Sequence, residues 1–155
     1  MNYLDFLKRA KNDLKIADHI AYVTYSLVKE PKLMLSVIDS LYNSVENIIN
    51  AILYYEKTYK RINTFPENIN SKIFIFKNEV MKRYNIERRF LIAIEDIIEL
   101  VNTRKKSPIE FKRGDKYVIC TKDYKMKIIN LDNIKKYINE IKLLSSKIEQ
   151  IISRK

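Results

Sequence analysis

A chain of 155 residues is the size of one domain and long enough to bury a core without disulfide or metal staples. One Gly and three Pro leave little room for tight-turn β architectures, the single Cys120 excludes an intramolecular disulfide, and no apolar run is long enough to span a bilayer. The net charge of +11 is uneven: residues 1–100 hold 15 Lys+Arg against 13 Asp+Glu, whereas residues 101–155 hold 15 against 6, a local excess that points to an anionic partner. With no secretory leader and no spanning segment, the expectation is a reducing, cytoplasmic setting and no membrane partner.

The first element read from the sequence is a helix over 2–29. Leu7, Ala10, Leu14, Ala17, Ala21 and Val28 fall on one stripe, with Ile16, Ile20, Val23 and Leu27 beside it. The small residues invite close approach by another helix, and Pro31 stops the run because it cannot donate the helical hydrogen bond. The only histidine, His19, lies at the edge of this face; without further His or Cys it builds no zinc site, and a structural role is expected.

The second helix, 33–61, is the longest. Met34, Ile38, Leu41, Val45, Ile48, Ile52, Tyr55 and Tyr59 recur at alternating spacings of four and three, and Val37, Tyr42, Ile49 and Leu53 widen the stripe. The helix should therefore be covered on two sides, as the centre of a bundle is. Its polar residues Asp39, Asn43, Glu46, Asn47 and Asn50 either meet solvent or cluster at an interface. A break at 63–70, marked by Pro66 and several asparagines, precedes a shorter helix over 70–84 carrying Ile73, Phe76 and Val80. A fourth runs over 86–105 with Phe90, Ile94, Ile97 and Val101 inward and Glu87, Glu95, Asp96 and Glu99 mostly outward.

After Ser107-Pro108 the period changes to two. Residues 109–113 and 116–121 flank Gly114-Asp115, a hairpin signal. A second turn at Lys122-Asp123 leads to 124–129, where Tyr124, Met126 and Ile128 alternate with Lys125 and Lys127. A small antiparallel meander is expected, then a last helix over 131–153 capped by Asn130 or Asp132, with Ile134, Ile138, Ile141, Ile148 and Ile152 inward. The fold class is all-α: an up-and-down bundle of four to five helices in one domain, with a β-hairpin or meander inserted at about 109–129.

The stretch Arg9-Ala10-Lys11-Asn12-Asp13-Leu14-Lys15-Ile16-Ala17, the break at Pro31, and Leu41-Tyr42-Asn43-Ser44-Val45-Glu46-Asn47-Ile48-Ile49-Asn50-Ala51-Ile52-Leu53 resemble the opening helical hairpin of HEPN domains. The resemblance covers about the first third of the chain. It implies a four- or five-helix bundle, frequently homodimeric, in a family of RNA-cleaving toxins, partners of nucleotidyltransferases and members without activity. The RNA-cleaving members share an Arg and a His with roughly four to six residues between them. Here Arg104 ends the fourth helix, and the positions where His would fall hold Ile109, Glu110 and Phe111. The proton carrier suited to neutral pH is missing, and the meander makes this a divergent member.

The leading expectation is thus a non-enzymatic HEPN-like binding module, a homodimer that engages RNA, DNA or an acidic protein through its basic segment. The candidate contacts are Arg104, Lys105, Lys106, Lys112, Arg113, Lys116, Lys122, Lys125 and Lys127 for phosphates, with Tyr117 and Tyr124 for stacking on bases or, alternatively, for packing the meander onto the bundle. Lys125 and Lys127, two apart in one strand, should share a face. No metal site or cofactor is expected. Two other classes remain: a helical protein partner in a two-component toxin–antitoxin or nucleotidyltransferase pair, and a metal-independent nuclease using Arg104 with Glu46 or Glu110.

Overall fold

The computed structural model describes residues 2–154, 72% of the chain being helical, in five helices with a three-stranded sheet before the last. Helix α1 comprises Tyr3–His19, a π-helical turn over Ile20–Thr24 and a final turn Tyr25–Val28; α2 is Leu33–Thr58. Helix α3 runs Ile69–Ile75, through a second π-helical turn at Phe76–Val80, to Met81–Tyr84; α4 is Arg88–Lys106 and α5 is Leu131–Ser153. Strands β1 (Ile109–Arg113), β2 (Lys116–Cys120) and β3 (Met126–Ile129) form an antiparallel sheet in that order, with β2 central.

Side-chain capping starts three of the helices. Asn2 Oδ1 accepts from the amides of Leu4 and Asp5 at 2.9 and 3.1 Å while Asp5 accepts from the Asn2 amide, a reciprocal capping box. Asn68 caps α3 through the Ser71 amide at 2.8 Å, and Asn130 caps α5 through the Asn133 amide at 2.8 Å. Helix α1 ends on Lys29 in the left-handed conformation, two residues before Pro31, and the short link returns α2 antiparallel to α1. Tyr3 meets Tyr55 edge-on at 5.3 Å, Phe6 stacks on Tyr54 at 5.2 Å, and Asn47 Nδ2 donates to Asp13 Oδ2 at 2.9 Å.

Helix α2 packs against α1, α3, α4 and α5. Its stripe from Met34 through Leu41, Val45, Ile48 and Ile52 is fully buried, as are Ile49 and Leu53 beside it, which is what a helix covered on more than one side requires.

The two π-helical turns were not legible in the amphipathic pattern, and the first has a visible effect. A π turn takes an additional residue, which rotates everything beyond it by about 100° relative to an uninterrupted α-helix. Ala21 stays buried, but Val28, on the same predicted stripe, is 62% exposed and Leu27 is 80% exposed. Tyr59 is likewise outside the core: α2 stops at Thr58, and Tyr59 lies exposed against Tyr55 with the Arg61 guanidinium over both rings.

Candidate interaction surface

The cationic segment begins at the C-terminus of α4 and continues through the sheet, so the register of the sheet decides where each charge points. Cross-strand partners are Phe111↔Val118↔Ile128, Lys112↔Tyr117↔Ile129, Glu110↔Ile119↔Lys127 and Ile109↔Cys120↔Met126. Side chains alternate between faces along each strand and directly opposed residues share a face. Glu110, Lys112, Tyr117, Ile119, Lys127 and Ile129 therefore lie on one face; Ile109, Phe111, Arg113, Lys116, Val118, Cys120, Met126 and Ile128 lie on the other. Tyr117, Ile119 and Ile129 belong to the hydrophobic core, so the first set faces the helices.

The face turned to the helices carries charge, and the helices and the α1–α2 link answer it. Lys112 pairs with Glu30 at 3.5 Å and Lys127 with Glu99 of α4 at 3.3 Å. Glu110 accepts from Arg104 Nε at 3.4 Å and from the Tyr117 hydroxyl at 3.0 Å, and Arg104 reaches Asp39 of α2 at 3.7 Å. Burial pushes the Tyr117 phenol above its ordinary value, and the hydrogen bond to Glu110 adds to the shift. At the entry to the sheet Ser107 Oγ sits 2.7 Å from the Ile109 carbonyl oxygen and 2.6 Å from that of Cys120, pinning β1 to the end of β2.

The face turned away from the helices is apolar. Ile109 is 60% exposed, Met126 54%, Ile128 44% and Phe111 40%, and between Phe111 and Ile128 lies Val118 at 0%. Arg113 and Lys116 stand at the end of this face nearest the Gly114-Asp115 turn, where Gly114 takes φ +63°, a conformation that costs glycine little. At the opposite end the turn between β2 and β3 is closed by the Thr121 amide donating to the Lys125 carbonyl at 2.8 Å. Tyr124 sits in it at φ +63° and 95% exposed, between the exposed Lys122 and Lys125.

The eleven sequence-predicted contact residues are thus not gathered on one surface. Arg104 on α4, and Lys112 and Lys127 on the helix-facing side of the sheet, pair with carboxylates of this chain, Lys112 with its side chain still 64% exposed. Tyr117 is 5% exposed and cannot stack on a base; the alternative, packing of the meander onto the bundle, is its actual role. Lys125 and Lys127 do not act together, since Lys125 precedes β3 in the turn and Lys127 is committed to Glu99. Lys105, Lys106, Lys112, Arg113, Lys116, Lys122, Lys125 and Tyr124 are exposed. Of the two carboxylates paired with Arg104 in the nuclease expectation, Glu110 is in contact. Glu46 instead lines an open cleft of about 660 Å³ between α1 and α2, with Arg9, Asp13, Asn43 and Asn47. There burial raises the Asp13 carboxyl against the lowering effect of its hydrogen bond from Asn47. His19 is exposed on α1, and among the described residues no group of three His, Cys, Asp or Glu side chains gathers as a metal site.

Two buried charges escaped the sequence reading: Lys72, which pairs with Glu67 at 3.1 Å, and Glu56. Glu56, near the end of α2, is fully buried and accepts from Arg83, from the Tyr84 hydroxyl at 2.8 Å and from Arg61 at 3.1 Å. It staples the end of α2 to the end of α3. The available signal was its place four residues after Ile52 on the apolar stripe, a core position for a charged side chain. No protein family, curated protein or solved structure matches this chain, and the HEPN-like resemblance rests on the residues quoted for it.

Proposed function

We propose that this chain is a non-catalytic binding module of HEPN-like type and that its partner is a protein docked on the outer face of the β1–β2–β3 sheet. The observation that carries the reading is the apolar outer face of the sheet. An antiparallel sheet with one face on a core normally puts apolar side chains inward and polar ones outward; here the inner face buries Tyr117, Ile119 and Ile129 but also carries Glu110, Lys112 and Lys127, while Ile109, Phe111, Met126 and Ile128 lie exposed on the outer face. Isoleucine, phenylalanine and methionine left side by side in water add little stability to the isolated chain, and a contiguous apolar patch of this kind marks an interaction site. The commitment of Arg104 to Glu110 and Asp39 supports a binding role over nuclease chemistry.

A photo-cross-linking amino acid at Ile128, expressed in the native cell, should yield a discrete protein adduct that the same residue at Phe74 does not. Phe74 is the control because it is exposed on α3 at 68%. An RNA adduct from Ile128, or the same adducts from both positions, would refute protein docking on this face.

A further inference from the structure

The charges at the two ends of the apolar strip say what kind of segment covers it, an inference that rests on the protein-docking reading above. From Ile109 to the Arg113 at its cationic end this face is about 14 Å long at 3.4 Å per residue, and its three strands span about 10 Å. The width is that of one α-helix, and the length that of about nine helical residues at 1.5 Å each. An extended segment would instead seek the free hydrogen-bonding edge of β1 or β3 and leave the face uncovered. Both ends are cationic. Arg113 and Lys116 flank one Asp115 at the hairpin end; Lys122 and Lys125 flank one Asp123 at the other, where α4 ends on Lys106. None of these five cations forms a salt bridge among the described residues.

A second copy of this chain fits poorly, because face-to-face stacking of two such sheets brings cationic ends together with no carboxylate cluster to meet them. Nucleic acid fits the rim but not the strip: four of its five central side chains, Ile109, Val118, Met126 and Ile128, are without the π face on which bases stack. A helix on the outer face supplies the missing layer of a sheet packed on both sides. We infer that the occupant is an amphipathic helix of a partner protein, lying along the strands, apolar at i, i+3, i+4 and i+7 and acidic at both ends.

Cys120, the only cysteine, lies on this face and is partly exposed, so its alkylation rate by iodoacetamide reports occupancy in the unaltered protein. The probes are two synthetic, conformationally constrained amphipathic helical peptides of about three turns, identical on their leucine face and ending in either glutamates or lysines, and a mixed-sequence single-stranded RNA. The glutamate peptide should bind the full chain at least about tenfold tighter than the lysine peptide, weaken as salt is raised, and slow Cys120 alkylation. The fourfold change R113E/K116E/K122E/K125E should reverse the preference between the peptides, and Ile128→Asp should abolish binding of both, each with the far-ultraviolet dichroism and melting of the parent bundle. Equal affinity for the two peptides, or no protection of Cys120 by either, overturns the acidic helix, while a protein adduct from Ile128 in cells would leave the docking face itself standing. Protection of Cys120 by the RNA and not by the peptides overturns both.

Discussion

Ile48→Ala and Val28→Ala separate what the sequence pattern implies from what the fold enforces, since both positions belong to predicted buried stripes. Ile48 is fully buried at the middle of α2, whereas Val28 lies beyond the π turn of α1 and is 62% exposed. Trimming Ile48 removes three buried carbons, worth about 2.4 kcal/mol at roughly 0.8 kcal/mol each. If about half of a vacated volume of roughly 70 Å³ survives relaxation, a cavity cost near 24 cal/mol per Å³ adds about 0.8 kcal/mol. The expected loss is about 3 kcal/mol, or roughly 6–12 °C in Tm for a domain of this length. Val28→Ala should stay within about 0.5 kcal/mol, as exposed substitutions do. Urea unfolding followed by circular dichroism at 222 nm measures both, with unchanged m-values required. Equal losses at the two positions would show that α1 keeps an uninterrupted α-helical phase, and the exposure of Leu27 and Val28 would then be wrong.

Tyr84 is pushed up from 10.0 to about 12, first by burial and then by its hydrogen bond to Glu56. Because the folded value lies above the unfolded one, its contribution to stability is present below pH 10 and is lost as pH rises through 12. Tyr84→Phe should therefore remove one late-titrating phenol from the ultraviolet titration and flatten the alkaline fall in stability over that window; an unchanged titration curve would place Tyr84 outside the Glu56 cluster. The homodimer that belongs to the HEPN-like reading is open to sedimentation equilibrium at micromolar protein, which should report twice the chain mass. Ile16, Val23 and Leu27, exposed on α1, are the apolar side chains offered for it, so Val23→Glu with Leu27→Glu should return the monomer. A parent protein that is monomeric at all concentrations refutes this.

The sequence by itself determined the five helices and the meander, because those depend on local rules: periodicities of 3.6 and 2, asparagine caps, Pro31 as a stop and Gly114 at a turn. It also placed the core along Leu41, Val45, Ile48 and Ile52, since a stripe that long has to be covered. What the pattern could not contain was phase and sidedness. The π turn at Ile20–Thr24 leaves no mark in the apolar period, yet beyond it Leu27 and Val28 leave a face that reads as continuous. In β1 and β3 the alternation of apolar and charged residues was plain, but a period of two is unchanged when the strand is turned over. Only the bundle beneath, with Glu30 of the α1–α2 link, Asp39 and Glu99 within reach of Lys112, Arg104 and Lys127, decided that the side carrying Glu110, Lys112 and Lys127 faces in. The same long-range pairing explains Glu56, whose burial is intelligible only once Arg61, Arg83 and Tyr84 have been brought to it by the fold. Local sequence fixes the elements because their hydrogen bonds close within a few residues; the surface a sheet presents depends on partners tens of residues away.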